Sequence, residues 1–274
     1  MIHLYALPST LNWRWLWLIV AAFLGGALNA VAGGGTFLLF PAILGMGTLP
    51  VAANATNTVA LWPGQLTSIA AYREDVLKNL RLAWPMGLAA LLGGSAGALI
   101  LLRTPQMTFL HLVPWLLLAA ACIFAASGPV TRWLEKRKLE RLKVAHSNAA
   151  TVHPVRRRRL PVFLATVALG FYLGYFGAGS GFLIITMLSL FGWQDLHEIN
   201  ALKVVTTTAA NGIAFVIFVI DGQVIWKYCL LAMVTAAIGG YGAARFAKRI
   251  PQQILRTAVV LIGLAMAAWF FWKQ

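Results

Sequence analysis

The chain is short of acid. Seven Asp and Glu stand against 22 Lys and Arg in 274 residues, and charged residues of both signs make up only 11%, where a soluble domain carries about 25%. Such a chain cannot cover a water-facing surface with charge. Five of the acids, Glu74, Asp75, Asp195, Glu198 and Asp221, lie at the edges of apolar runs. No acidic pair sits inside a run, so the residues of an intramembrane proton relay are missing. Cysteine is scarce too. Cys122 and Cys229 both lie in apolar runs, which gives neither a disulfide framework nor metal spacing, and they read as packing residues. The five histidines, His3, His111, His146, His153 and His197, show no ligand spacing either. Nucleotide motifs are absent: Gly177-x-Gly179-x-Gly181 is not G-x-G-x-x-G, and Gly33-Gly34-Gly35 has no downstream Gly-Lys-Ser/Thr. No catalytic residue, metal site or cofactor is expected.

What the chain has is apolar length. It is 60% hydrophobic, with a mean hydropathy of +0.79. Apolar runs fall at about 13–32, 36–46, 51–71, 82–102 and 108–128, and return at about 160–176, 180–191, 199–220, 227–246 and 254–272. A membrane-spanning helix needs about 20 residues. Eight of the runs approach that length, and the second run of each set is too short to span alone. The fold class is therefore an all-α integral membrane protein, with eight full spans and two half-helices. The net charge of +15 could suggest nucleic acid, but 10 of the 22 Lys and Arg fall in residues 129–159 and most of the rest lie between apolar runs. That is how cytoplasmic loops touching anionic headgroups are charged. Membrane lipid, not nucleic acid, is the partner this pattern implies.

The runs are organised as two copies. Arg103-Thr104-Pro105-Gln106 recurs as Arg249-Ile250-Pro251-Gln252, Gly93-Gly94 as Gly239-Gly240 and Asn54-Ala55 as Asn200-Ala201, each 146 residues on. Gly34-Gly35-Thr36-Phe37-Leu38 recurs as Gly179-Ser180-Gly181-Phe182-Leu183 at 145. The chain divides into membrane repeat 1 (1–128), a basic cytoplasmic linker (129–159) and membrane repeat 2 (160–274). Residues 13–46 as one helix would measure about 51 Å, too long for a hydrocarbon core of about 30 Å. Gly33-Gly34-Gly35 is where that helix breaks, since each glycine costs a helix about 1 kcal/mol and permits positive φ. Gly177-Ala178-Gly179-Ser180-Gly181 breaks the second copy. Ala30-Val31-Ala32 resembles a signal-peptide cleavage site, but the same element reappears mid-chain, where no signal peptide acts.

If each half-helix turns back, each copy has five passes and the copies are inverted. The linker, the loop with Arg73, Lys78 and Arg81, and the loop with Arg245, Lys248, Arg249 and Arg256 then all lie in the cytoplasm, with both termini outside. A single crossing by the broken helix gives four passes and puts that last loop outside. The charges favour five passes.

Polar groups inside the runs are few and clustered. They are Asn54, Thr56, Asn57, Thr58 and Gln65 in the first copy, and Asn200, Lys203, Thr206, Thr207, Thr208 and Asn211 in the second. Lys203 is the only Lys or Arg well inside a run, and intramembrane charges are costly enough to suggest function. Its bland alternative is snorkelling to the headgroups, as threonines can bond back to their own helix. A half-helix starting after each glycine break presents free N–H groups and a positive dipole end. Together these make a donor-rich, acid-poor pocket suited to a small anion. The glycines have a packing alternative, as in Gly93-x-x-x-Gly97.

Several stretches resemble the sulfite exporter TauE/SafE family of bacterial membrane permeases. They are Ala32-Gly33-Gly34-Gly35 with Pro41, Ala53-Asn54-Ala55-Thr56-Asn57, Asn200-Ala201-x-Lys203 with Asn211 and Gly222-Gln223-Val224, and Gly239-Gly240-x-Gly242-Ala243. The resemblance covers nearly the whole chain except the linker, which looks longer than is usual there. It implies a multi-pass permease of the bacterial inner membrane for sulfite, sulfonates or a related organic anion. Such a permease would work by alternating access between the repeats. In that reading Lys203 supplies charge. Gly34, Gly35, Gly179 and Gly181 let backbone approach the anion, and Asn54, Asn57, Thr207 and Asn211 supply hydrogen bonds. An anion channel, or an intramembrane enzyme or assembly factor without transport, are the rival readings.

Overall fold

The computed structural model describes residues 9–123, 125, 159–193, 195–246 and 252–273. Among them all regular structure is helical. The basic linker lies almost wholly outside the described residues. The first half holds α1 (Ser9–Ala32), α2 (Thr36–Gly45), α3 (Pro50–Ala71), α4 (Arg73–Lys78), α5 (Leu80–Arg103) and α6 (Gln106–Ile123). The second holds α7 (Arg159–Tyr175), α8 (Ser180–Leu190), α9 (Leu196–Ile220), α10 (Trp226–Phe246) and α11 (Gln252–Lys273).

Both expected breaks are present. Gly33 and Gly177 take left-handed backbone at φ 73° and 77°, which a side chain would disfavour. The short helices then turn back rather than continue. A Cβ on Gly35 would lie 3.0 Å from Asn29 and 2.6 Å from the Gly25 carbonyl, while Leu39, one turn later, also lies against Gly25. So α2 runs antiparallel to α1. Thr166 of α7 likewise meets the Met187 sulfur of α8 at 4.0 Å, well away from the break on both helices.

The halves interlock through glycine. α1 packs along α10 and α5 along α7, with backbones in contact. A Cβ on Gly93 would run into the Val167 carbonyl, and one on Gly97 into that of Phe171. On the other side Gly239 meets the Phe23 carbonyl and Gly26 that of Ala236 in the same way. Helices without a hydrophobic drive to associate approach this closely where small residues allow it, as the Gly93-x-x-x-Gly97 spacing suggested. Between these pairs, α3 and α9 cross antiparallel. Trp62 Nε1 donates to the Thr208 carbonyl at 3.2 Å near their middles. Thr56, near the start of α3, receives the Ile225 N–H beyond the end of α9 at 3.0 Å. Asp75, just past α3, meets His197 at the start of α9 at 3.5 Å.

The outer faces are apolar. Trp13, Trp84, Leu92, Ile220 and Tyr241 are each more than half exposed, a surface that fits lipid and not water. Among the described residues, four helical segments are long and apolar enough to cross a membrane: Trp13–Ala30, Leu80–Arg103, Gln106–Ile123 and His197–Ile220. Eight were expected. For α3 the reason is physical, because it is long enough but carries Asn54, Asn57, Gln65 and several hydroxyls.

Candidate functional site

The two breaks meet. A Cβ on Gly33 would sit 2.8 Å from the Gly181 nitrogen and 3.5 Å from Ser180 Oγ, so each half presents its interruption to the other. A cavity of about 190 Å³ opens beside this junction. Its wall includes Asn29 and Gly33 from the first break, Ser180 and Gly181 from the second, and Lys203 and Thr207 from α9. Ser68 and Tyr72, at the end of α3, line it toward α4, and Tyr72 also borders the groove over Arg73, Glu74 and Asp75. The cavity therefore faces the α4 end of the molecule.

A second, smaller void of about 10 Å³ lies deeper, lined by Thr36, Thr58, Phe176 and Asn211, and it shares Asn29, Gln65 and Ser180 with the cavity. It is about the size of one water. Asn211 Nδ2 donates to Gln65 Oε1 at 3.1 Å between the two spaces. Beyond the void, Phe176 packs edge-on against Phe40 at 5.6 Å and tilts on Phe109 at 6.2 Å between ring centres.

The expected site residues divide. Lys203, Thr207 and Gly181 line the cavity, and Asn211 lines the void. Thr207 Oγ1 also donates back to the Lys203 and Val204 carbonyls at 3.0 and 3.1 Å, as threonine does in a helix. Asn54 and Asn57 are buried at 0% and 1% and line neither space. They brace the breaks: Asn54 Nδ2 donates to the Tyr175 carbonyl at the end of α7 at 3.0 Å, and Asn57 Nδ2 to Thr36 Oγ1 at the start of α2 at 3.2 Å. Gly34, Gly35 and Gly179 are buried and also lie off both linings. Gly35 serves the α1–α2 contact, and Gly179 turns the chain into α8 at φ 71°.

Asn29, Gln65, Ser180, Ser68 and Tyr72 line the cavity without having been given a site role. Asn29 carried a signal, as the one amide in the 13–32 run, a turn before the break.

No acid lines either space, and among the described residues no cluster of His, Cys, Asp and Glu could hold a metal ion. What the wall offers is one lysine, several amides and hydroxyls, and the N-terminal end of α8 at Ser180 and Gly181, the positive end of its dipole. That set stabilises negative charge.

A family model described as "Sulfite exporter TauE/SafE" matches residues 18–270. The chain belongs to the sulfite exporter TauE/SafE family. Relatives of this TauE/SafE protein align over nearly their whole length. A Haemophilus influenzae protein named "Probable membrane transporter protein" is 25% identical over 258 residues, 94% of each chain. A Sinorhizobium protein, "Probable membrane transporter protein ORF9", is 28% identical across 91% of this chain and 89% of its own. The Escherichia coli K12 protein "Probable membrane transporter protein YfcA" is 24% identical, covering 92% and 87%. No solved structure matches. The protein is thus a helical membrane protein of a transporter family.

Proposed function

We propose that this TauE/SafE protein is a multi-pass secondary transporter of the bacterial inner membrane. It moves a small oxyanion, of the sulfite or sulfonate class, by alternating access between two inverted repeats, residues 1–128 and 160–274. The observation that carries this is the acid-free cavity where the two glycine breaks meet, with Lys203 and the N-terminus of α8 in its wall. Positive dipole ends at a midplane site between repeats suit an anionic substrate.

Pairwise contacts support the repeats. Trp62 touches Thr208 and Gln65 touches Asn211, and both pairs are separated by 146 positions, the spacing of the sequence matches. Residues related by a two-fold meet each other only at its axis. An antiparallel crossing of α3 and α9 is what a two-fold lying in the membrane plane would produce, and so favours inverted repeats. The glycine contacts between the halves support it too: Gly93 of α5 on Val167 of α7 has its counterpart in Gly239 of α10 on Phe23 of α1.

A channel needs an open polar path. Here the path narrows to a water-sized void and ends on Phe176, which favours a carrier. The wall is a binding set and not a paired acid and base, which favours transport over catalysis. The basic linker, 129–159, would hold the cytoplasmic face against anionic lipid.

Purified protein reconstituted into liposomes tests the reading. Saturable flux of sulfite, or of a member of a sulfonate panel, with counter-transport on pre-loading is expected. Flux that rises linearly with concentration would indicate a channel, and no binding by any member of the panel would end the oxyanion reading.

A further inference from the structure

The two ends of the proposed pathway are built from equivalent residues in different states. Under the 146-residue offset, α3 and α9 begin at matching positions, Pro50 and Leu196. Ser68 then matches Ala214, and Tyr72 matches Phe218. Ser68 and Tyr72 line the cavity and are partly exposed, whereas Ala214 and Phe218 are buried at 0%. Phe218 is packed in the large apolar core that also holds Phe40, Phe109 and Phe176. At the second break the Phe176 ring lines the end of the void, so the far end can close on it.

We propose that Tyr72 is the gate of the α4 end, moving from the cavity wall into the pathway when the opposite end opens, as Phe218 is packed now. This rests on the alternating-access reading above. The position suits a gate. Tyr72 stands between α3 and α4 with φ −101° and ψ 15°, off helical geometry, while its N–H still bonds the Ser68 carbonyl at 3.0 Å and its carbonyl receives the Val76 N–H at 2.9 Å. Residues at the ends of elements absorb such rotations without unravelling the helix. In an inverted-repeat carrier, opening one end is coupled to closing the other.

The test uses full-length protein with Cys122→Ser and Cys229→Ala, in inside-out vesicles. Tyr72→Cys should react readily with a membrane-impermeant thiol reagent. Adding Phe218→Ala loosens the far seal, shifts the population toward the state closed at the α4 end, and should slow that reaction several-fold. An unchanged rate in a folded Phe218→Ala protein overturns the gate. A second measurement stands apart from that variant's folding. Tyr72→Ala should insert at the wild-type level and lose most of its flux, with Tyr72→Phe restoring flux because phenylalanine is the residue at the equivalent position. Undiminished flux in Tyr72→Ala also overturns the gate and leaves transport standing. A wild-type protein that carries neither sulfite nor any sulfonate overturns the transport reading itself.

Discussion

Lys203 separates two roles that the sequence alone leaves balanced. A snorkelling lysine lays its stem along lipid and its ammonium at the headgroups. Lys203 instead shares a cavity wall with Asn29 and Gly33 of the opposing break, so it borders the space between the halves. Two unit charges about 4 Å apart are worth about 4 kcal/mol at an effective dielectric near 20, and about a third of that is a tenfold change in affinity. Lys203→Met should therefore raise the KM for the transported anion about tenfold or more, or abolish uptake. Lys203→Arg should retain part of the activity, since the charge survives but its shape changes. Flux assays at matched expression decide it, and a fully active Lys203→Met would leave only the helix end and the neutral donors as ligands. The asparagines show the limit of reading polar residues from sequence. Asn54 and Asn57 stood out because amides are rare inside apolar runs, and that much was legible. Their partners, a carbonyl of Tyr175 and the hydroxyl of Thr36, lie 121 and 21 positions away, so only the folded chain reveals that they hold the breaks in place.

At the scale of elements, the breaks were legible from length and glycine, but the job of each glycine was not. Of the first triplet, Gly33 uses left-handed backbone, whereas Gly35 is helical at φ −59° and is small because Gly25 lies behind it. Backbone freedom and close packing leave the same letter in the sequence. The distinction yields a matched pair of variants. Gly33→Ala sets a Cβ 2.8 Å from the Gly181 nitrogen on a backbone that disfavours it. It should push the two breaks apart and abolish transport while the protein still inserts. Gly64→Ala, within α3, meets nothing within 4 Å and should leave transport intact, with a gain of up to about 1 kcal/mol in helix stability. Transport and detergent melting of both variants measure this. Equal, wild-type behaviour would show that the junction of the breaks does not need its present closeness.

For the whole molecule, the proposed inversion rests on directions that no short motif encodes. The sequence matches give equivalence between α3 and α9 but not their relative orientation, and charge alone chose between five passes and four. Contacts add what charge could not. Both half-helices turn back, and α3 and α9 cross antiparallel, with Trp62 on Thr208 and Asp75 on His197. Following the chain with each half-helix counted as a return places α4, the linker and the loop after α10 on one side. Those three segments carry Arg73, Lys78 and Arg81, the ten basic residues of 129–159, and Lys248 and Arg249. Under the positive-inside rule that side would be the cytoplasm, and the proposal then has the cavity that opens toward α4 face the cell interior. Reporter fusions at Ser147 and Gln274 check the assignment. Ser147 should report cytoplasm and Gln274 periplasm. A cytoplasmic Gln274 would mean an even number of passes in the second half, which α8 folding back along α7 does not allow. It would sink the inverted pair while leaving the anion cavity and its lysine in place.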